Sequence, residues 1–265
     1  MLRFMKILAL LCGVAAVLGG CATDEPIGRL GQVGYRNGTV EDDYTSNGER
    51  GNVTITEINW AGSVRGTIGL SVHDPDDIFI ELQNRYSRPV HLTDWQISVQ
   101  TGTGNPIVDE EIYPRSRVTY RIPLRENREP VQPNEYVVIA AKRDGAFPNA
   151  DYYIEDLELP AGRFEITLLD IDDRLMEDGG DIAEEIFAGG YDLMTVRSME
   201  RVTLIFSNQG GRESSWHAYS LNFWDDEHTD LTQNIAEDYR TLTYASPGMP
   251  SSPDYSGNAS SGSFE

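Results

Sequence analysis

The sequence predicts an all-β fold in which two sheets pack face to face, and three neighbouring stretches carry that reading. Asp77 to Asn84 alternates with period two, with Ile78, Ile80 and Leu82 on one side of an extended ribbon and Asp77, Phe79, Glu81 and Gln83 on the other. Upstream, Val53 to Trp60 offers Val53, Ile55 and Ile58 as apolar positions and ends on a tryptophan. Downstream, Leu92 to Val99 sets Trp95, Ile97 and Val99 in register. All three are rich in β-branched and aromatic residues, which suit a pleated surface resting on a core and favour a sandwich over a helical bundle. The stretch 77–84 is expected to be the central strand, with one of its faces buried.

The later elements follow in order. Arg117 to Ile122 alternates, and Glu135 to Ala141 is an almost unbroken apolar run suited to a strand buried on both faces. Phe164 to Asp170 leads through Asp172-Asp173 toward Leu175-Met176, the pattern of a hairpin with an acidic turn. Arg201 to Phe206 reads as a strand closed by the turn residues Ser207 to Gly211, and shorter candidates lie at His217 to Phe223 and Tyr239 to Tyr244. One stretch has a helical signature: Asp181 as cap with Glu184 three residues on, Ile182 and Ile186 on one face, and Gly189-Gly190 as terminator.

The two ends of the chain differ from this middle. Met1 to Gly20 has a basic start (Arg3, Lys6) and an apolar run from Ile7 to Leu18. As a helix that run is about 18 Å long, short of the roughly 30 Å hydrocarbon core of a bilayer, so it reads as a signal segment and not as a membrane span. Its close, Leu18-Gly19-Gly20-Cys21, resembles a bacterial lipobox, which implies cleavage before Cys21 and acylation of that cysteine with palmitate-type chains. Cys12 leaves with the signal and Cys21 is modified, so the exported domain is expected to hold no disulfide. Ala22, in place of an aspartate after the cysteine, resembles sorting to the outer membrane. Residues 21–52 are rich in Gly, Asp, Glu and Asn and read as a flexible tether of roughly 30 Å root-mean-square span. Ser246 to Glu265, with Pro247, Pro250 and Pro253 among Ser, Gly and Asn, reads as a tail, with the folded domain at 53–250 and full disorder from 251 to 265.

The chain carries 43 acidic against 21 basic residues, a formal charge of −22. Arg3 and Lys6 lie in the segment expected to be removed, so the exported protein is more acidic still. Nucleic-acid binding needs clustered Lys or Arg along one surface; no stretch supplies them, and no direct nucleic-acid partner is expected.

The order of strand motifs resembles that of the lamin tail domain, an immunoglobulin-like β-sandwich also found in exported bacterial proteins. The matching pieces are Ile55 to Trp60, Phe79 to Asn84, Leu92 to Ile97, Pro133 to Ile139, the hairpin Phe164 to Met176, Ser198 to Arg201, and Ala245-Ser246-Pro247-Gly248. Members usually need little more than half this span, so the resemblance implies long inserted loops at Thr101 to Val131, Asp172 to Arg197 and Gly210 to Asp238. It also implies an interaction or structural module without a shared catalytic set.

Candidate sites are few. Asp170, Asp172 and Asp173 are candidate calcium ligands, being hard oxygens within one turn, although the spacing does not match an EF-hand. His217 and His228 flank Asp225 and Asp226 at a spacing that fits no zinc motif. Neither a nucleophile elbow nor a phosphate loop is present. Glu81 and Arg201, each within a strand motif, form a candidate cross-sheet pair. Trp216, Tyr219, Phe223 and Trp224 lie within nine residues and form a candidate binding patch. The reading that combines these features is a lipid-anchored, non-enzymatic binding or envelope-structural protein with an unidentified protein or envelope partner. A calcium-dependent adhesion protein and a hydrolase with its site in the inserted loops are the alternatives.

Overall fold

The computed structural model describes residues 50–103, 113–127, 129–182, 186–202, 210–220 and 231–254. Among them the elements are strands, together with one 3-10 turn at Glu213–Ser215. Two sheets dominate. The larger joins β1 (Val53–Asn59), β4 (Phe79–Asn84), β7 (Tyr136–Ala140), β8 (Tyr152–Tyr153), β13 (Met199–Arg201) and β14 (Trp216–Ala218) in the order β14-β13-β1-β4-β7-β8. The smaller joins β5 (Gln96–Thr103), β6 (Tyr113–Arg121), β9 (Phe164–Leu169) and β10 (Leu175–Gly180) in the order β10-β9-β5-β6. A hairpin of β2 (Ser63–Thr67) and β3 (Leu70–Asp74) and a small sheet of β11 (Gly190–Tyr191), β12 (Val196–Arg197) and β15 (Thr243–Tyr244) complete the set.

The two large sheets share one core. Ile55, Ile58, Ile80, Leu82, Val137 and Ile139 from the larger meet Ile97, Val99, Phe164, Ile166, Leu168 and Met176 from the smaller, all buried. Alternation explains why these residues point inward. On β1 the apolar positions are spaced by two and then by three, and a bulge between Ile55 and Glu57 reconciles them, so that Val53, Ile55 and Ile58 all enter the core. The predicted hairpin is present, with β9 and β10 antiparallel across an acidic turn.

The central strand departs from expectation. It is β4, with β1 and β7 on either side, but both of its faces are buried. Ile80 and Leu82 face the shared core, while Phe79 packs with Val138, Ala140, Phe147, Ile235 and Ala245 in a second cluster on the far side of the larger sheet. The chain from 231 to 252 helps to cover that far side. The expected tail is therefore corrected: Ser246 and Ser252 are 1% and 4% exposed and bonded into the sheet, because their hydroxyls and amides meet buried acceptors there.

Other boundaries move. Leu92 to Trp95 forms a turn before β5, with the Trp95 amide donating to the Leu92 carbonyl at 3.1 Å. The stretch 181–190 contributes no helix among its described residues, and 183–185, with Glu184, lie outside them. Trp60 draws this stretch onto the core instead, donating from Nε1 to the Ala188 carbonyl at 3.0 Å. Residues 1–49, with Cys21 and most of the predicted tether, and 255–265 lie outside the described residues, as do 203–209 of the predicted strand Arg201 to Phe206. All three stretches expected as inserted loops contain strands of the large sheets, β6 in the first, β10 in the second and β14 in the third.

Candidate binding site

The most concentrated chemistry is a row of carboxylates across the far face of the larger sheet. Glu57 on β1 is the register partner of Glu81 on β4 and of Glu200 on β13. The row continues to His217 on β14 beyond Glu200 and to Val138 on β7 beyond Glu81. All three glutamates are fully buried. Like charges directly opposite one another in a sheet repel, so the row persists only through its partners and its protons.

The partners come from the C-terminal segment. The Ser246 amide donates to Glu57 Oε1 at 3.0 Å, the Gly248 amide to Glu81 Oε2 at 2.6 Å, and the Ser252 amide to Glu200 Oε2 at 3.1 Å. The Ser252 hydroxyl also donates to Glu200 Oε2, and the Thr56 hydroxyl, at the bulge, donates to Glu81 Oε1 at 2.6 Å. Gly248 has φ +75, a left-handed conformation that glycine adopts without strain.

The protons follow from geometry. Ser246 Oγ lies 3.1 Å from Glu57 Oε2 and 2.6 Å from Glu200 Oε1. A hydroxyl has one proton, so both contacts are hydrogen bonds only when one carboxyl is protonated and donates to the serine oxygen. Burial, with Glu200 alongside, pushes Glu57 up to about 8. Burial raises Glu81 as well, reinforced by Glu57. Glu200 is also raised by burial, but His217, with Nε2 3.8 Å from Glu200 Oε2, and the two serines offset part of that. Of the two carboxyls that share Ser246, Glu57 is thus the one that carries the proton at neutral pH. This row is sealed from solvent and serves to fasten the C-terminal segment to the sheet.

The residues singled out from the sequence are placed as follows. Trp216 and Tyr219 are 2% and 0% exposed, which corrects the expectation of an open aromatic patch for these two. Trp216 lies in the shared core with its Nε1 donating to the Gly210 carbonyl at 2.6 Å, and its large apolar ring gains more from that burial than from exposure. Phe223 and Trp224 lie outside the described residues, as does His228. Asp170 is buried, and its carboxylate accepts from the Asp172 and Arg174 amides at 2.9 Å and from Arg174 Nε at 2.8 Å. Asp170 holds the turn closed and Asp173 accepts from Gln96 Nε2 at 2.5 Å, and the three aspartates are not gathered into a group suited to a metal ion among the described residues. Glu81 and Arg201 do not meet. Arg201 instead pairs with Glu177 at 3.2 Å, stacked 5.0 Å from the Trp216 ring, because it points to the core side of the sheet while Glu81 points away.

The open concavity lies elsewhere, at the mouth between the two sheets. On the inner face of β5 and β6, Val99 is opposite Val118 and Thr101 opposite Ser116. Val99 is 3% exposed but Val118 is 47% exposed, because the larger sheet ends near Ile78 and Ala141 and leaves the last rungs uncovered. The resulting groove encloses about 460 Å³, within the range of ligand sites. Its floor is Ile78, Val99, Val118, Tyr120, Leu157 and Leu159, and its rim carries Asp76, Glu155, Asp156 and Glu158. The Glu158 amide donates to the Tyr120 hydroxyl at 3.2 Å, which holds the segment 155–160 against β6. Lys142, also at the rim, is occupied by both Asp74 oxygens at 2.7 Å. The described lining includes no histidine or cysteine.

No family model matches the chain, and no curated protein matches it in sequence.

The sequence did not announce either feature. Glu81 sat at the outward phase of an alternating strand, where exposed charge is the ordinary outcome, and Glu57 shares the phase of Val53 and Ile55 until the bulge turns it outward. The groove depends on where one sheet stops relative to the other. The one available signal was the pairing of two strand motifs carrying glutamate at matching phases, Thr56-Glu57-Ile58 and Ile80-Glu81-Leu82.

Proposed function

We propose that this chain is a lipid-anchored, non-enzymatic binding module of the bacterial envelope, with a lamin-tail-like sandwich that presents the groove between its sheets to a partner. The observation that carries the reading is the groove itself: an apolar floor left open to solvent at the mouth of an otherwise closed core, rimmed by carboxylates that have no salt-bridge partner among the described residues. Supporting it are the Leu18-Gly19-Gly20-Cys21 ending and the strand motifs of the sequence. The polar groups of the groove favour recognition over bond cleavage, since Thr101 Oγ1 and Ser116 Oγ bond to each other at 2.9 Å and no imidazole among the described lining residues stands by to activate either.

Two measurements test it. Wild-type protein is expected in the membrane fraction with an acylated N-terminal peptide at Cys21, and Cys21→Ser in the soluble fraction; a soluble, unmodified wild type refutes the anchor. A photo-crosslinking residue at Val118 in intact cells is expected to give a discrete adduct that one at the equally exposed Met194 does not. Adducts of equal yield at both sites, or none at Val118, refute the groove as the binding face.

A further inference from the structure

Given that the groove is the binding face, we infer that its occupant is an extended peptide segment in which aliphatic side chains alternate with lysine or arginine. The argument begins with the floor. Val118 stands on the inner face of β6 with no strand of the larger sheet facing it among the described residues, and Leu159 beside it is half-buried, so the core has an unfilled place for an aliphatic side chain from outside. Filling it removes apolar surface from water on both sides.

The rim sets the charge. Asp76, Glu155, Asp156 and Glu158 surround the opening, and the single lining cation, Lys142, is already neutralised by Asp74. An anionic ligand would meet repulsion here, while a cation beside the floor gains from carboxylates that have no competing ion pair among the described residues.

The remaining groups favour a polypeptide over a simple polyamine. Thr101 and Ser116 form one rung of the uncovered face and present neutral hydroxyls at the mouth. Such groups match the amides of a backbone, which offers both donors and acceptors, whereas an amine chain at neutral pH offers donors alone. An extended peptide also has the period-two alternation that puts every second side chain against a sheet face and the others toward the rim.

The test uses the chain from residue 21 onward carrying Cys21→Ser, which needs no detergent, and a fluorescein-labelled heptapeptide alternating leucine with lysine, followed by anisotropy. Saturable binding that weakens at least about tenfold as salt rises from about 50 to 500 mM is expected, since the contacts are exposed and screened. Glu155→Lys with Glu158→Lys is expected to weaken it by more than about tenfold, and Val118→Ser by several-fold, with thermal midpoints at the wild-type value. If the charge-reversed pair does not fold, Glu155→Gln with Glu158→Gln is expected to show the same direction. A serine–lysine heptapeptide and spermine are expected to compete weakly or not at all.

Binding of a leucine–glutamate heptapeptide in place of the lysine one overturns the charge assignment. Equal competition by spermine or the serine–lysine peptide overturns the apolar part, and binding indifferent to the groove variants overturns the location. If no peptide binds while the Val118 adduct forms in cells, this inference fails and the groove remains a binding face; if both are absent, the two fail together.

Discussion

Glu57 and Glu200 stand directly opposite one another on β1 and β13 and reach the same serine hydroxyl, that of Ser246, at 3.1 and 2.6 Å. Two buried carboxyls sharing one hydroxyl need a further proton between them, and this need makes stability depend on pH.

Glu57 holds its proton in the folded protein up to about pH 8, but in the unfolded chain only to about 4.5. Between those values the folded state binds more protons, so stability falls as pH rises, by about 1.4 kcal/mol per pH unit for one proton. The contribution is complete below pH 4.5 and gone above 8. The urea midpoint is expected to decline from pH 5 to pH 8.5, and Glu57→Gln, which carries its own donor, is expected to lessen that decline, leaving the part that Glu81 contributes, and to exceed wild type at the alkaline end. A wild-type midpoint that rises across this range would contradict the assignment.

Ser246→Ala removes the shared hydroxyl while leaving the backbone amide on Glu57. The loss expected is about 1–3 kcal/mol, the cost of leaving buried acceptors short of a donor. Ser246→Thr, which keeps the hydroxyl, is expected to retain more of the stability. Chemical denaturation of the two side by side distinguishes a lost hydrogen bond from general disturbance of the segment.

Arg201 and Glu177 form a second buried pair, 2% and 6% exposed. Burial raises the glutamate and lowers the arginine, and their mutual attraction opposes both shifts. Removing one partner strands the other, so Arg201→Met is expected to destabilise by about 3–5 kcal/mol, and Arg201→Met with Glu177→Leu by clearly less. A double variant no better than the single one would show that Glu177 is not the group left stranded.

Trp216→Ala is expected to lower the thermal midpoint sharply, with a cost of about 3–5 kcal/mol for an aromatic removed from a core. Were Trp216 part of a surface recognition patch, the midpoint would stay near wild type. Calorimetry on the purified chain separates the two outcomes.

How much of this was legible in the sequence varies with the kind of interaction. Local alternation located β1, β4, β5 and β6, an almost unbroken apolar run located β7 and a hairpin pattern located β9 and β10, and the spacing of Val53, Ile55 and Ile58 already contained the bulge that places Thr56 against Glu81. Alternation also marked Glu81 as outward-facing, which it is, and the bulge turns Glu57 the same way; neither says anything about what lies outside. What lies there is a Ser-Pro-Gly segment whose polar composition is that of a disordered tail and whose hydroxyls and amides are the donors the glutamates lack. Trp216 and Tyr219 illustrate the opposite limit, since a cluster of aromatics in sequence has the same composition whether it is core or surface. The groove arises from unequal reach of two sheets, a property of register and not of any residue.

The bond from Ser246 to Glu57 joins positions 189 residues apart. A ribosome delivers β1 and β4 long before it delivers the residues that satisfy their carboxyls, so the middle of the larger sheet has no low-energy arrangement until nearly the whole polypeptide has emerged. The order in which this protein is made thus defers its own closure, and a chain shortened by some twenty residues at its carboxyl end would leave three glutamates facing water from the centre of a sheet built to exclude it.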